Sequence, residues 1–471
     1  MEESEKHETE ILPRDDPQQT KNPKNWPFAR RIVHTFPPVL NAFVIAFASA
    51  VVEPVIPSLI DHFHVSETIA TLSLTLYTLG IGIGPVFLAP LSEILGRKWT
   101  LVTTLAFLLA FTAGAGAAQN YATFLVCRAL AGFLGSAGIA VGGGTMTDIW
   151  GVGKEGSLAS LAFIFTSFLG PTFGPIVGVY VVADRGGDWR WSMWIVLLLG
   201  APAFIALLFT SETYKAKILN EHKGDMSPAG FAKSVVFFAC LRVTKMLFTE
   251  VIVFSLTLYS SYAYAMVFSF FGSFPYVLET VYGFNEKHAR LALLSPIIGY
   301  FCAAAIFMVL HATVYKRATK AAGDMAAPEH RLYIGMVGSV FLPAGLFWYA
   351  WEAHSGGHWA AFVASGIFLG IGAFAILLSS IIYMVDVYRS GSVASALAAN
   401  GLVRYIFGAV FPLFTIQMYE NLDVHWACSV FAFLSLIQLP INSIQFNSNS
   451  YLMQPEYGDL AMQAFVERRG T

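Results

Sequence analysis

Apolar runs of roughly twenty residues alternate with short polar segments along most of the chain. A helix needs about 20 apolar residues to cross the ~30 Å hydrocarbon core of a bilayer. The pattern therefore predicts a membrane protein with twelve spanning helices. The predicted spans lie near residues 32–57, 68–91, 99–119, 122–147, 157–182, 190–211, 251–279, 289–312, 331–352, 358–384, 393–418 and 424–446.

The longest polar interruption between these runs divides the predicted spans into two sets of six. Two sets of equal size are what two repeat-related bundles would produce. We therefore expect an all-α membrane fold of two six-helix bundles. The expected division is a cytosolic N-terminal tail over 1–31, bundles over 32–211 and 251–446, a central cytosolic loop over 212–250 and a cytosolic C-terminal tail over 447–471.

Basic residues predict how the spans are oriented. Of the 28 Lys and Arg, 22 fall in the two tails and the loops on one side of the predicted membrane. Cytosolic segments of membrane proteins carry such an excess of Lys and Arg. Both termini are therefore expected in the cytosol. We expect the plasma membrane as the location, with the vacuolar membrane as the alternative.

Composition excludes several function classes. Hydrophobic residues make up 56% of the chain, charged residues make up 12%, and the mean hydropathy is +0.61, all far from the values of soluble proteins. The net charge of −2 comes without a basic run, so no nucleic-acid partner is expected. The four cysteines show no spacing suited to zinc, and no metal or other cofactor is expected.

A charged turn joins the second and third predicted spans, from Ala89 to Lys98. Gly96 permits the bend, and Arg97 with Lys98 holds the turn on the cytosolic side. Glu93 places one carboxylate in the same turn. These four residues are candidate motif residues.

The fifth predicted span carries Gly170, Pro171, Gly174, Pro175 and Gly178. Small residues four positions apart remove side chains from one helix face, so a neighbouring helix can approach closely. The two prolines each remove a backbone donor and bend the helix. We expect this face to form the seam along which the two bundles move, although small residues at this spacing are also common in ordinary helix packing.

Three patterns in the chain resemble those of the major facilitator superfamily. The turn at Gly96 is similar to its loop signature Gly-x-x-x-Asp-x-x-Gly-Arg-Lys, in the form typical of fungal drug:proton antiporters, with Ala89 and Glu93 as departures. The fifth span resembles the family's antiporter motif, and Arg128 with Gly132 resembles its second motif. The likeness covers nearly the whole chain.

This resemblance implies a transporter and not an enzyme. It implies export of a small organic compound such as a drug, a toxin or a secondary metabolite, with protons and the lipid bilayer as further partners and a monomer as the working unit. It also implies that Asp148 pairs with Arg97 and holds the outward-facing state. A solvated charge at a helix end is the alternative for Asp148.

Arg128 and Glu53 are the candidate proton-coupling pair. An Arg inside a span must face a cavity or a partner, because its charge is costly in lipid. Glu53 is the one carboxylate well inside a predicted span, and it lies at nearly the depth of Arg128. The alternatives are that backbone carbonyls satisfy Arg128 and that Glu53-Pro54 only marks a helix end.

A substrate cavity is expected from aromatic and polar side chains in both halves. An aromatic stripe on the seventh span can accept varied organic molecules, although such stripes more often pack helices together. Arg404 lies near mid-membrane, where it either bonds carbonyls or offers a positive site to a substrate anion. The candidate cavity residues are Asn41, Tyr259, Tyr262, Phe270, Phe374, Asn400 and Arg404.

The sequence therefore favours a secondary transporter that exports its substrate by alternating access, coupled to inward movement of protons. Two alternatives stay open. One is an uptake facilitator or uniporter of the same fold, in which Glu53 and Arg128 form a fixed structural pair. The other is a membrane sensor that binds a ligand without moving it.

Overall fold

The structure is a computed structural model that describes residues 22–151, 154–218, 241–322, 328–354, 356–388 and 393–441. Helices dominate these ranges, and no strand occurs in them. The predicted C-terminal tail, the first 21 residues and most of the predicted central loop lie outside the described residues.

Twelve apolar helices follow one another through the described ranges. Ten are long and apolar enough to cross a bilayer, an eleventh qualifies when its two bent parts are joined, and the last is shorter. The all-α membrane fold predicted from the apolar runs is confirmed. The helices are α1 Phe28–Phe63, α2 Glu67–Leu95, α3 Arg97–Gly116, α4 Tyr121–Trp150, α5 Glu155–Ala183, α6 Trp191–Leu208, α7 Val251–Thr280, α8 Glu286–Lys320, α9 Pro328–Glu352, α10 Trp359–Val387, α11 Ser395–Val410 with Pro412–Leu422, and α12 Val424–Gln438.

Polar side chains define where several helices begin. The side-chain oxygens of Ser66, Asn120 and Asn285 accept hydrogen bonds from backbone N–H groups in the first turns of α2, α4 and α8. Such caps satisfy donors that the helix itself leaves free. All three lie at the same end of the helix array. We call this end the opposite face, and the end that carries the turn at Gly96 the basic face.

Breaks inside the apolar runs of α1, α8 and α11 change the course of these helices. A 3₁₀ turn at Glu53–Val55 breaks α1, because Pro54 has no N–H to continue the α-helical ladder. A π-helical turn at His311–Tyr315 interrupts α8. The two parts of α11 are bent by 43° before Pro412. The breaks in α1 and α8 lie beside charged side chains that join the two halves.

The helices pack as two sets, α1–α6 and α7–α12. In the first set α1 packs on α4, α5 and α6, and α2 packs on α4; in the second, α7 packs on α10 and α11, and α9 packs on α10 and α12. Contacts between the sets run mainly from α2 to α11 and from α5 to α8 and α10. The two sets follow chain order, so each half can move largely as a unit.

The glycines of α5 face α1 inside the first half. A Cβ added at Gly174 would lie 2.8 Å from the Val51 backbone nitrogen, and one at Gly170 would lie 2.7 Å from that of Phe47. Gly178 approaches the Val51 carbonyl oxygen in the same way, at 2.8 Å. The expectation that this face forms the moving seam between the halves is wrong for this structure. Close backbone approach instead holds α1 and α5 together, with Pro171 and Pro175 inside α5.

We predict that Gly174→Ala destabilises the protein by about 1–3 kcal/mol, because the new methyl group must push apart two helix backbones. The measurement is the melting temperature of the purified protein. Gly143→Ala is the matched control, since its Cβ would meet only a phenylalanine ring carbon at 3.7 Å, an ordinary contact. Equal melting temperatures for the two variants would contradict the tight α1–α5 seam.

Candidate functional site

An ion pair between Glu53 and Arg290 joins the two halves near the opposite face. Arg290 Nη1 donates to Glu53 Oε2 and also to the Phe271 carbonyl oxygen, at 3.2 Å. Both charged side chains are about nine-tenths buried, at 9% exposure for Arg290 and 11% for Glu53. Gly272 gives the carboxylate room, since a Cβ there would lie 3.3 Å from Glu53 Oε1. The pair ties the break in α1 to α7 and α8.

Arg128 has different partners from the one expected. Its guanidinium donates to the carbonyl oxygens of Ala48 at 2.9 Å, Ser49 at 3.4 Å and Ser73 at 3.2 Å, and lies 4.1 Å from the centre of the Tyr77 ring. The expected Glu53–Arg128 pair is absent from this structure. The reason is local: the α-helical part of α1 ends at Ala50, so carbonyls just before that end are free to accept from Arg128.

Sequence reasoning missed Arg290. A signal was present, because Arg290 is one of few basic residues on the side predicted to face outward and lies where an apolar run begins. Charge alone could not reveal its partner, since 237 positions separate Arg290 from Glu53 along the chain.

A cavity of about 160 Å³ lies beside the Glu53–Arg290 pair at the opposite face. Glu67 and Thr68 line it from α2 and are exposed, while Glu279 lines it from α7. Two further contacts link the halves at this face, Lys287 to Asp184 at 3.2 Å and Gln417 to Thr68 at 3.2 Å. The cavity therefore brings a polar surface up to the buried pair.

A larger groove of about 560 Å³ runs along α6 between Trp191 and Ile205. Apolar side chains line it, and none of the charged groups described above reaches it. Its position on the outward surface of one helix fits contact with lipid tails, so we do not assign it to the site.

At the basic face, Arg97 pairs with Asp148 as the resemblance implied. Arg97 Nε lies 3.2 Å from Asp148 Oδ2, and Nη1 donates to Ser92 Oγ at 2.6 Å. Gly96 has φ +94°, and a Cβ there would meet Glu212 Oε2 at 2.2 Å. The turn thus needs glycine both for its backbone conformation and for the approach of Glu212.

Glu212 is a second residue that sequence reasoning missed. Its carboxylate accepts from the backbone nitrogens of Arg97 at 2.9 Å and Lys98 at 3.3 Å, at the start of α3. A carboxylate at a helix N-terminus satisfies free N–H groups and complements the helix dipole. Glu93, in the same turn, is half-buried and forms no salt bridge within the described residues.

The second half carries a comparable ion pair at the basic face. Arg331 Nε lies 2.8 Å from Asp386 Oδ2, and both side chains are at most 5% exposed. The guanidinium also contacts His311 Nδ1 at 3.2 Å and donates to Ser157 Oγ of α5 at 3.0 Å. The bond to Ser157 connects the two halves. The π-helical turn of α8 brings His311 to this cluster.

Three predicted cavity residues of α7 pack inside the second half instead. The Tyr262 hydroxyl donates to the Phe431 carbonyl of α12, and Phe270 stacks on Phe274 with ring centres 4.2 Å apart. Tyr259 is also fully buried. The placement of Tyr262 and Phe270 in the cavity is wrong for this structure, because α7 is buried on every side in its middle and its apolar pattern does not distinguish one face from another.

A different set of rings meets between the halves. Phe168 of α5 contacts Tyr264 of α7, Tyr300 of α8 and Phe374 of α10, with ring centres 5.4 to 6.0 Å apart. The hydroxyls of Thr172 and Tyr300 lie 3.3 Å apart across the same interface. We call Phe168, Tyr264, Tyr300 and Phe374 the central ring cluster. Of the predicted cavity residues, Phe374 belongs to it.

The remaining predicted cavity residues are polar and buried. Asn400 of α11 donates to Ser260 of α7 at 2.7 Å, so it ties two helices of one half together. Asn41 is fully buried beside Gly138, and neither amide atom has a partner among the described residues. Arg404 lies over the rings of Tyr264 and Tyr405, with its guanidinium carbon 5.5 and 5.1 Å from their centres.

The family follows from comparison with known proteins. The family model of the Major Facilitator Superfamily matches residues 39–412. The chain belongs to the Major Facilitator Superfamily. It is a membrane transporter and not an enzyme, as the sequence patterns predicted.

Curated relatives cover most of the chain. It is 34% identical to the MFS-type transporter traF of Penicillium crustosum, over 91% of this chain and 89% of that protein. It is 32% identical to Polyamine transporter 4 of Saccharomyces cerevisiae, over 97% and 74%. It is 34% identical to the Major facilitator superfamily multidrug transporter mdrA of Aspergillus fumigatus, over 89% and 71%.

Solved structures support the same fold. The xylose transporter XylE of E. coli superposes with a TM-score of 0.63 at 15% identity, over 90% of this chain and 100% of that one. At this identity the likeness concerns the fold alone. The two-set arrangement of helices described above is therefore that of a major facilitator transporter.

We predict that Arg97→Ala and Asp148→Ala each lower the transport rate about fivefold or more. Loss of an ion pair worth about 1–2 kcal/mol changes the ratio of inward-facing to outward-facing protein about fivefold or more. The measurement is the transport rate at equal amounts of folded protein. Arg317→Ala is the control, since it removes an exposed positive charge at the same face that forms no ion pair with a described residue. Unchanged rates in both test variants would show that the turn only sets topology.

We predict that Arg128→Gln lowers stability by about 2–4 kcal/mol, because three carbonyl bonds to a buried charge are lost. The melting temperature should fall, while the protein that remains folded still transports in response to a pH gradient. If Arg128→Gln instead abolished gradient-driven transport without loss of stability, Arg128 would be a coupling residue after all.

Proposed function

We propose that this protein exports a small organic compound across its membrane by alternating access, coupled to proton movement in the opposite direction. The observation that carries the proposal is that buried polar contacts join the two halves at both faces. Glu53–Arg290 closes the opposite face, and Arg331 with Ser157 closes the basic face. Alternating access requires that such closures break in turn, one face at a time.

Glu53 is the proposed proton-coupling residue. Its ion-pair partner is Arg290, whereas the sequence predicted Arg128. A paired guanidinium favours the ionised carboxylate. When the halves part at the opposite face, Glu53 loses Arg290 and can take a proton from that side. When the pair forms again, the carboxylate ionises and the proton leaves toward the side that is then open.

The names of two relatives support export of drug-like compounds, since one is a multidrug transporter and the other is an efflux pump. A further relative is named for polyamines, which are cations. Glu53, Asp148 and Asp386 each pair with an arginine, so the carboxylates that remain for an amine in the described cavity are Glu67 and Glu279 at the opposite face.

We propose that both termini face the cytosol and that the protein works in the plasma membrane. The excess of Lys and Arg at the basic face supports this orientation. Export would then run from the basic face to the opposite face, and the cavity beside Glu53 would open to the outside.

Export itself is tested by expressing the full chain in a host that lacks its own drug pumps. Cells that carry the protein should accumulate less of at least one organic compound than cells with an empty vector. If purified protein binds a compound but no reconstituted vesicle moves it, the proposal fails and a sensor is favoured.

We predict that Glu53→Gln abolishes transport driven by a pH gradient, since it keeps the shape of Glu53 and removes the exchangeable proton. Exchange of labelled for unlabelled substrate should persist, because exchange needs no net proton movement. Both are measured in sealed vesicles of purified protein. Glu67→Gln is the matched control, because it removes a carboxylate of the same cavity that has no arginine partner. Full gradient-driven transport in Glu53→Gln would favour the uniporter.

A further inference from the structure

Four arginines of the described chain are buried within or at the ends of the spans, and three of them form hydrogen bonds or ion pairs with described residues. Arg128 bonds carbonyls, Arg290 pairs with Glu53, and Arg331 pairs with Asp386. Arg404 is the exception. It is 8% exposed, its Nε is buried without a partner, and no hydrogen bond or ion pair joins it to a described residue.

The depth of Arg404 makes this arrangement unusual. It lies nine positions after Ser395, where the described apolar part of α11 begins, so at a rise of 1.5 Å it is about 14 Å into the membrane. That is near the middle of a ~30 Å hydrocarbon core. A full positive charge at this depth needs a counter-charge or a polar cavity. Neither the carbonyls nor the carboxylates of the described chain supply one.

The surroundings of Arg404 are aromatic. One face of the site is Tyr264, which belongs to the central ring cluster, and the other is Tyr405. Tyr264 in turn contacts Phe168 of the other half, with ring centres 6.0 Å apart. A flat organic molecule that separated these rings would stack on them and would lie within reach of the guanidinium. Asn400, one helical turn before, is already engaged with Ser260.

We propose that Arg404 recognises the anionic group of the transported compound, and that the preferred substrates are flat aromatic carboxylic acids in their ionised form. This inference rests on the proposed export function. The substrate anion supplies the counter-charge that the protein omits, and the planar guanidinium can hold a carboxylate with two parallel hydrogen bonds. The aromatic part of the substrate occupies the central ring cluster after its rings move apart.

The test compares acids with their uncharged amides on purified full-length protein in lipid nanodiscs. The probes are 2-naphthoate and 9-anthracenecarboxylate, each matched with its carboxamide, and the readout is the ligand concentration that raises the melting temperature. Wild-type protein should prefer each acid. Arg404→Gln should weaken binding of the acids about tenfold or more, the usual size of a lost charge-assisted contact, and leave the amides within about twofold.

Two further variants sharpen this result. Arg404→Lys keeps the charge but not the planar fork, so it should still prefer the acids, with affinity between wild type and Arg404→Gln. Arg317→Gln removes an exposed positive charge at the basic face and should bind as wild type does. If Arg404→Gln does not fold, the proposal is tested on Arg404→Lys. An unchanged affinity for the acids in that variant contradicts the proposal.

The outcomes separate this inference from the export function. If wild-type protein binds no acid more tightly than its amide, or if folded Arg404→Gln keeps the preference, the anion site is overturned while export can stand. If the acids bind through Arg404 but no compound is exported in the pump-deficient host, the export function fails and the anion site stands.

Discussion

The break in α1 is the constraint on which the other features of the site depend. Because the helix stops at Ala50, the carbonyls of Ala48 and Ser49 are free to accept hydrogen bonds. Arg128 donates to them and can therefore be buried without an ion pair. The same break turns Glu53 toward the second half, where Arg290 meets it. A charge in apolar surroundings must find a partner, and one interrupted helix supplies partners for two arginines.

Ionic and polar contacts close the structure at both faces, and the central ring cluster fills the space between them. Arg290 makes the closure at one face and Arg331 at the other, each within a few ångströms of a broken stretch of helix. Helix breaks place charged side chains where a regular helix would present only apolar surface. A compound that is to pass between the halves must displace these contacts in sequence, which is why we assign them to the transport cycle.

Packing inside each half is of a different kind. The glycines of α5 bring two backbones of the first half within contact distance. In the second half, ring contacts join α7 to α9, and a hydrogen bond from the Tyr262 hydroxyl joins α7 to α12. Such close packing resists rearrangement. Between the halves the contacts are a few ion pairs, hydrogen bonds and rings, and these can part without disturbing either core. Rigid halves with a separable interface are the physical basis of rocking motion.

The sequence by itself determined the helices, their number within the described chain, the membrane class and the family, because each depends on apolar run length or on residues close together along the chain. It also identified Arg97 and Asp148, which local motifs mark. Only the tertiary structure decided that Glu53 pairs with Arg290, that Tyr264 faces the other half, and that the glycines of α5 face α1. Partners that lie far apart along the chain are chosen by how helices rotate and pack, and a helix buried on all sides carries no periodic signal to show which face meets which neighbour.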